Sequence, residues 1–433
     1  MQQQPKRKRA GSLGGFIMAK LAINGGPKTI DRPIGRVWPE FGDEERAALN
    51  AVLESRIWWR GGYAEAGDSW VGRFENAFAE YQGAKYGVAC TNGTQAIELA
   101  LKAVGIKPGD EVICPASTFV ATATAVILVN AIPIIVDIEP KTYQIDPDAI
   151  EAAIGPRTAG IIPVHYGGYP CNMDRIMAIA EKHGLFVVED CAHAHGTEWR
   201  GKGCGTFGAF GTFSLQMGKN LTCGEGGIVL TDDEDLAARA YSFHHIGRMA
   251  GRPFYEHHIV ASNLRMTEWQ GAIATCQCRR LPAQNEQRMR NFRHLEAGLR
   301  EIPGVEPIEW DPEVVTRRGC YFHHFKLKSE EFEGLSLARF REAMAAEGLG
   351  IHSGHLHPIQ TNPLFTNRNF GPVCWPDGCE PPDYSKVETP VADRVLAEEG
   401  CALGHATFLG DTSDMDLILD AIRKVRDNAE ELA

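Results

Sequence analysis

The sequence predicts an α/β protein with a mainly parallel, seven-stranded sheet and a smaller α+β domain at its C-terminal side. Two observations in the 433 residues lead to this prediction. Short apolar runs alternate with helical runs over about 200 residues, and a helix between successive strands makes those strands parallel. Beyond that region, one long polar helical stretch leads into a segment in which strand and helix patterns are mixed.

The seven predicted strands are short apolar runs of the kind that parallel sheets bury on both faces. They cover residues 86–90, 111–114, 132–138, 160–164, 185–189, 209–214 and 227–231. The helices predicted in the same region cover residues 94–104, 119–129, 147–153, 173–183 and 234–245. We therefore expect a sheet with helices on both of its faces.

The segments that flank the sheet region set the predicted domain limits. They contain helices at 43–55, 69–81, 267–302, 335–347 and 413–428, and one strand at 321–327. The predicted units are a disordered tail (1–20), an N-terminal arm with a helix (21–68), a large domain (69–290) and a small C-terminal domain (291–433).

Composition excludes several classes of function. The chain has 44 Lys plus Arg and 56 Asp plus Glu, a formal net charge of −12, which argues against nucleic-acid and membrane-surface binding. No apolar run approaches the roughly 18 residues of a membrane span, and no apolar core of a signal peptide follows the basic residues 6–9. The 12 Cys show no zinc spacing. We therefore predict a cytoplasmic protein with neither a disulfide framework nor a metal site.

A Gly-Thr turn between a predicted strand and a predicted helix is the first candidate for chemistry. Asn92, Gly93 and Thr94 lie at the start of the helix predicted at 94–104. The free N–H groups and the positive dipole end of a helix N-terminus suit a phosphate. An ordinary helix cap by Asn92 or Thr94 is the alternative interpretation.

An acidic residue at the end of an apolar strand is the second candidate. Val187 and Val188 lead directly to Glu189 and Asp190, and open α/β sheets bind ligands at the carboxyl ends of their strands. An aspartate there can pair with a protonated ring nitrogen and keep it charged. A helix N-cap after the strand is the alternative.

A lysine in a polar loop is the third candidate. Lys219 follows the strand predicted at 209–214, and the Gly-rich segment 224–227 comes just after it. A lysine amine is a useful nucleophile only when its pKa is lowered, and glycines permit tight backbone close to it. A solvated loop lysine and a plain turn are the alternatives.

Together, a phosphate turn, a strand-end aspartate and a loop lysine, in this order on an α/β sheet, form the apparatus for pyridoxal 5′-phosphate. In these segments the chain resembles fold-type I pyridoxal-phosphate enzymes, and more narrowly the DegT/DnrJ/EryC1/StrS family of sugar and cyclitol aminotransferases. The matching segments are TNGTQAIELAL (91–101), GDEVICPASTFVATATA (109–125), PVHYGG (163–168), VVEDCAHAHG (187–196), FSLQMGKNLTCGEGG (213–227) and ASNLRMTE (261–268).

The resemblance implies a role for each matching residue. Lys219 would form the Schiff base with the cofactor, and Asp190 would pair with the pyridine nitrogen. His193, where many relatives have Gln, would contact the phenolic oxygen of the cofactor, and Phe119 would stack on its ring. The residues implied for the phosphate site are Gly93, Thr94 and Ser214, with Gln216 beside the lysine and Asn263 reaching over from the other subunit of a homodimer.

Lys219 also distinguishes two reactions within the family. The related sugar 3-dehydratases have His at this position, so a lysine favours transamination. The resemblance implies a ping-pong cycle, in which an amino-acid donor, L-glutamine or L-glutamate, gives its amino group to the cofactor before a ketone accepts it.

Four short segments resemble the branch that contains inosose aminotransferases and 3-amino-5-hydroxybenzoate synthase. They are residues 58–62, 192–196, 357–358 and 362–365. The C-terminal pair resembles the inosose enzymes more than the aromatic synthase. We therefore predict an aminotransferase for a keto-cyclitol or keto-sugar such as scyllo-inosose, acting in aminoglycoside-type or related antibiotic biosynthesis.

Three alternatives stay open at this point. An aromatizing dehydratase of the 3-amino-5-hydroxybenzoate synthase type would keep the same cofactor residues. A nucleotide-sugar aminotransferase needs cations for a diphosphate, and Arg60, Arg248 and Arg265 leave that option open. A regulatory sensor that only binds the cofactor is disfavoured, because the one basic run of the chain is residues 6–9.

Overall fold

A seven-stranded sheet forms the centre of the structure, a computed structural model that describes residues 20–432. The strands of this sheet and of two smaller ones are β1 (Tyr86–Cys90), β2 (Glu111–Pro115), β3 (Ile132–Val136), β4 (Thr158–Ile161), β5 (Phe186–Asp190), β6 (Glu198–Trp199), β7 (Lys202–Gly203), β8 (Phe210–Ser214), β9 (Gly227–Thr231), β10 (Val305–Pro307), β11 (Phe322–Leu327) and β12 (Gly400–Gly404). The central sheet has the order β1-β9-β8-β5-β4-β2-β3. The predicted α/β fold with seven strands is confirmed.

One strand departs from the parallel arrangement, and its position bears on the site. β9 runs antiparallel to both of its neighbours, β8 and β1, while the other four pairings are parallel. Parallel strands need a long crossover, whereas a loop can bring the chain back antiparallel. The loop between Ser214 and Gly227 contains no helix, and this loop carries Lys219.

Helices cover both faces of the sheet. They are α1 (Asp43–Ser55), α2 (Trp70–Gln82), α3 (Gly93–Val104), α4 (Ala121–Leu128), α5 (Pro147–Ala153), α6 (Met173–His183), α7 (Glu234–His244), α8 (Glu268–Leu299), α9 (Leu337–Ala346), α10 (Pro363–Thr366), α11 (Pro390–Arg394) and α12 (Thr412–Asp427). Successive side chains of a strand point to opposite faces of the sheet, so each strand contributes to the packing on both faces. Phe210 of β8 packs in the cluster of α3 and α4, and Phe213 packs in the cluster of α2 and α8.

Most predicted elements recur with shifted ends. The helix predicted at 119–129 is α4, which starts at Ala121 because Phe119 belongs to the turn before it. The strand predicted at 160–164 is β4, which ends at Ile161, and Val164 then makes an isolated bridge to Asp190. That bridge brings the segment after β4 against the end of β5.

The C-terminal part contains a three-stranded antiparallel sheet, in the order β10-β11-β12. Only β11 follows from the sequence pattern. β12 begins at Gly400 and ends at Gly404, and its pairing with β11 rather than its own composition makes it a strand. A cluster of apolar side chains from α8, α9 and α12 packs beneath this sheet.

The predicted domain limits remain predictions. The limit at 290 falls inside α8, which packs against α1 and α2 near its start and against α12 farther along. Of the predicted disordered tail at 1–20, residues 1–19 lie outside the described residues. Within residues 20–432, none of the helices has both the length and the apolar content of a membrane span.

Candidate active site

A cavity of about 800 Å³ opens where β5 and β8 end and where α3 begins. Eight of the nine residues predicted from the sequence line it, namely Gly93, Thr94, Phe119, Asp190, His193, Ser214, Gln216 and Lys219. The ninth, Asn263, is exposed and lies outside this cavity, in an isolated bridge to His245. Residues that are far apart in the sequence therefore meet in one place.

Asp190 ends β5 as a buried carboxylate with two hydrogen-bond donors. Its Oδ2 accepts from the Thr122 hydroxyl at 2.8 Å, and its Oδ1 accepts from the Ala192 N–H at 3.1 Å. Thr118 Oγ1 lies 2.8 Å from Thr122 Oγ1 and extends this chain of hydroxyls. Burial raises the pKa of Asp190 above its usual value, although both hydrogen bonds oppose the rise. A cation placed against this carboxylate would stabilise its charged form.

The neighbouring Glu189 braces the end of the same strand. Together with His165 and Cys204 it forms a group in the described part of the chain whose candidate metal-ligand atoms lie within 4.8 Å of one another. His165 Nε2 lies 3.0 Å from the Glu189 carboxylate, which also accepts the N–H groups of Gly205, Phe207 and Gly208. His165 Nδ1 accepts the Cys171 N–H at 3.0 Å, so Nε2 is the donor to Glu189. These four donors occupy the carboxylate, and the group fixes the backbone before Asp190.

Lys219 places an amine with a lowered pKa in the cavity. Burial lowers its pKa from 10.5 to about 8, and the charge of Asp190 opposes this change. Its Nζ lies 4.7 Å from the centre of the Tyr321 ring. A lysine in this state is unprotonated far more often than an exposed one at neutral pH, as a nucleophile or a general base requires.

The start of α3 is built to approach the end of β8. The Asn92 side chain accepts the Gln95 N–H at 2.9 Å, and no hydrogen bond among residues 20–432 occupies the N–H groups of Gly93 and Thr94. A Cβ on Gly93 would lie 2.6 Å from the Ser214 Cβ, so a glycine is required there. Two free N–H groups and a serine hydroxyl thus converge on one corner of the cavity, as an anion requires.

His193 has a fixed tautomer. Its Nδ1 accepts the Gly167 N–H at 3.2 Å, and burial lowers the pKa of its imidazole well below the usual value. The neutral ring therefore carries its proton on Nε2, as a hydrogen-bond donor. The ring stacks on Tyr321 with centroids 4.0 Å apart.

Two lining residues, Tyr321 and His355, were not identified from the sequence, nor was Thr122, which donates to Asp190. Thr122 and Tyr321 lie within or beside segments that carry the resemblance or a predicted strand, but no spacing rule singles them out. His355 lies in a His-rich run, 352–357, that offers no metal spacing. In the structure its Nε2 is buried without a partner among the described residues, and burial lowers the pKa of its imidazole to about 4.

The three arginines that left a diphosphate site open lie away from this cavity. Arg60 forms a 2.8 Å ion pair with Glu75, Arg265 donates to His245 at 3.2 Å, and the Arg248 guanidinium lies over the Phe254 ring. Among the described residues that line the cavity, Lys219 is the one Lys or Arg.

The seven-stranded sheet and its lysine loop define an aminotransferase of fold type I. A model of the DegT/DnrJ/EryC1/StrS aminotransferase family matches residues 39–374, and the chain belongs to this family. The predicted family, fold class and enzyme class are confirmed.

Curated relatives and solved structures agree with this assignment. L-glutamine:scyllo-inosose aminotransferase of Streptomyces griseus is 37% identical over 96% of this chain and 99% of its own. L-glutamine:2-deoxy-scyllo-inosose aminotransferase of Streptoalloteichus tenebrarius is 37% identical over 94% and 97%. The crystal structure of 3-amino-5-hydroxybenzoic acid synthase superposes with a TM-score of 0.80 at 32% identity, over 93% of this chain and 100% of the other.

Proposed function

We propose that the protein binds pyridoxal 5′-phosphate in this cavity and transfers an amino group from L-glutamine or L-glutamate to a free keto-cyclitol, such as scyllo-inosose or its 2-deoxy analogue. The observation that carries the proposal is the charge of the cavity. Lys219 faces Asp190 there, and no Lys or Arg other than Lys219 lines the described walls. Family membership and the two inosose-enzyme relatives support it.

The residues present fit this cofactor. The N–H groups of Gly93 and Thr94 and the Ser214 hydroxyl suit its phosphate, because a Cβ on Gly93 would close the corner that they surround. Asp190 suits its pyridinium nitrogen, since a buried carboxylate without a cation has a raised pKa. The proton on His193 Nε2 suits its phenolic oxygen, and Phe119, 60% exposed, is free to stack on its ring. When bound, the cofactor supplies an electron sink for the carbon that loses a proton.

Three residues of the cavity, Lys219, Asp190 and His193, hold or transfer protons during the reaction. Lys219 Nζ accepts a proton from Cα of the amino donor when it is unprotonated and returns one when it is charged. Its lowered pKa, about 8, keeps both forms populated near neutral pH. Asp190 keeps a ring nitrogen charged across the cavity, and the neutral His193 donates without becoming a competing acid.

The walls of the cavity favour an uncharged, hydroxyl-rich ketone. Apart from Asp190, its acidic residues are Glu98 and Glu225, of which Glu98 is paired with Lys102. Within the walls that one subunit supplies, a diphosphate would meet Glu225 without an arginine, whereas the hydroxyl groups of a cyclitol can pair with carboxylates and with neutral imidazoles. His355 has a buried, unpaired Nε2 at this wall, and we assign it to a substrate hydroxyl.

A homodimer with shared sites belongs to the same proposal. Exposed apolar side chains surround the segment of Asn263, with Phe254 58%, Tyr255 86% and Val260 98% exposed. Apolar groups clustered in this way are typical of interfaces. Asn263 would reach the phosphate corner of the other subunit. We also place the protein in the cytoplasm, which is supported by twelve cysteines that are all unpaired in the described chain.

Paired assays test the function. The loaded enzyme is expected to convert scyllo-inosose and L-glutamine to an amino-inositol, and Lys219→Ala is expected to abolish this activity. Turnover of a nucleotide-linked keto-sugar with none of scyllo-inosose would refute the substrate class, as would formation of an aromatic product.

Subunit mixing tests the shared site. Lys219→Ala and Asn263→Ala homodimers are each expected to be weak or inactive, and hybrids formed after mixing are expected to regain activity, because one site then combines two intact halves. If mixing restores nothing although the hybrids form, the sites are not shared.

A further inference from the structure

The loop that carries Lys219 is held by two donors that lie outside the sheet. Trp38, on the N-terminal arm, donates its Nε1–H to the Met217 carbonyl at 2.9 Å. His405, just after β12, lies with Nε2 3.1 Å from the Gly218 carbonyl. The two carbonyls directly before Lys219 are therefore hydrogen-bonded to the N-terminal arm and to the segment after β12.

The hydrogen-bond roles of His405 are fixed by Arg288. Arg288 Nη2 lies 3.1 Å from His405 Nδ1, and because a guanidinium only donates, Nδ1 is the acceptor. The ring proton of the neutral imidazole is then on Nε2, as donation to the Gly218 carbonyl requires. Arg288 Nη1 also donates to Asn285 Oδ1 at 3.0 Å, which fixes the guanidinium on α8.

Burial of the Arg288 guanidinium costs free energy that packing alone does not explain. Arg288 is fully buried and forms no ion pair within 4.0 Å among residues 20–432, and the charge of Glu40 acts on its pKa only from a longer distance. A buried cation without an anion is unfavourable unless its hydrogen bonds are satisfied. Its Nε has no hydrogen-bond partner among the described residues, so the guanidinium is held by its bonds to His405 and Asn285 and by the Trp38 ring, whose centre lies 5.5 Å away.

The rings around His405 continue to the reactive amine. Trp38 packs edge-on against His405 with centroids 4.7 Å apart, and Tyr321 lies parallel to His405 at 5.8 Å. Tyr321 also lies against the Lys219 Nζ, the stacked His193 ring and the Phe322 ring. The position of the loop and the position of the amine are thus set by the same packed group.

We propose that Trp38 and His405, the latter oriented by Arg288, are positioning residues that aim Lys219 into the cavity. The reactive lysine is then in place only when the N-terminal arm and the segment after β12 have both docked on the loop. The inference rests on the role proposed for Lys219, but its main readout needs neither cofactor nor substrate.

The test is competitive labelling of the cofactor-free full-length protein with trace acetic anhydride over a range of pH, with mass spectrometry of the Lys219 peptide. Trp38→Phe and His405→Phe keep an aromatic ring at each position and remove the N–H donors. The pKa of Lys219 is expected to move from about 8 to about 9 or higher in each variant, because a released loop exposes the amine. His405→Gln, whose amide can still donate to Gly218, is expected to stay near the parent value.

The matched control is Phe408→Leu, a buried change in the same segment that leaves both donors in place. It is expected to lower the melting temperature and leave the pKa of Lys219 unchanged. In the loaded enzyme, His405→Phe is expected to lower kcat about tenfold or more with KM for the donor little changed, as for a misplaced catalytic group.

Two results would overturn the inference. One is a pKa of Lys219 that stays at the parent value in the donor-free variants. The other is an equal shift in Phe408→Leu, which would mark a general loss of stability. Trp38 lies near the surface, so its variant remains informative if His405→Phe does not fold. If the pKa of Lys219 shifts in the variants but the parent protein has no aminotransferase activity, the proposed function is refuted and this inference is supported.

Discussion

Replacing Asp190 by Asn tests the electrostatics of the cavity directly. Burial lowers the pKa of Lys219 to about 8, and Asp190 is the charge that opposes this effect. At pH 7, a pKa of about 8 leaves about 9% of the amine unprotonated, whereas a pKa near 10.5 leaves about 0.03%. A pKa lowered to this extent corresponds to an increase of about 300-fold in the unprotonated form.

Asp190→Asn keeps the shape and one acceptor oxygen, which can serve the Ala192 N–H, while its amide nitrogen can donate to the Thr122 hydroxyl, but it removes the negative charge. We expect the pKa of Lys219 to fall below 8 in the cofactor-free protein, because only burial then acts on the ammonium. The assay is NMR titration of the ¹³C-methylated lysines, with Lys219→Ala to assign the signal. The variant is also expected to lose cofactor affinity, which a nitrogen-pairing carboxylate supplies.

Glu225→Gln is the matched control. It removes a carboxylate from the same cavity, but Glu225 is exposed and does not contribute to the lowered pKa of Lys219. Its titration is expected to match that of the parent protein. The reasoning fails if Lys219 titrates near 10.5 in the parent protein, or if Asp190→Asn raises its pKa.

Three further predictions concern the cofactor and substrate contacts. Gly93→Ala forces a Cβ to within 2.6 Å of Ser214, at an overpacking cost of about 1–3 kcal/mol. This cost predicts about 5- to 150-fold weaker cofactor binding, measured by equilibrium dialysis. Unchanged affinity would contradict the role of this corner in holding the phosphate. Thr122→Val removes a hydrogen-bond donor from the charged form of Asp190 and so raises the pKa of this carboxyl group. The loss of cofactor affinity at acidic pH is therefore expected to begin at a higher pH. If its pH dependence does not change, Asp190 does not pair with the cofactor nitrogen. His355→Phe is expected to raise KM for the keto-cyclitol about tenfold while leaving the L-glutamine half-reaction intact, since a bound substrate hydroxyl loses its imidazole partner. An equal effect on both half-reactions would exclude a substrate-specific role.

The extent of successful prediction differs between the sheet and the site. Strand and helix periodicity is local, so α6 and most sheet strands could be located from the sequence, while β12 became a strand only through pairing with β11. The order of the strands is not local. The antiparallel direction of β9 was not predicted, because it follows from how the lysine loop returns to the sheet.

For the candidate site, motif order and family resemblance named eight residues that now line one cavity. They did not name Thr122, Tyr321 or His355, since ordinary residue types at unremarkable spacings acquire a role only through their neighbours. Nor did they exclude a substrate role for Arg60. Only the structure shows that Arg60 forms an ion pair with Glu75 instead.

By itself, the sequence determined the class of fold and the family and predicted the roles of Lys219 and Asp190, because these depend on local patterns and on motifs with fixed order. Only the tertiary structure decided the lowered pKa of Lys219, the tautomers of His193 and His405 and the charge of the cavity walls. The physical reason is that burial, hydrogen-bond partnership and electrostatic potential are set by groups distant in the chain, and folding alone brings those groups together.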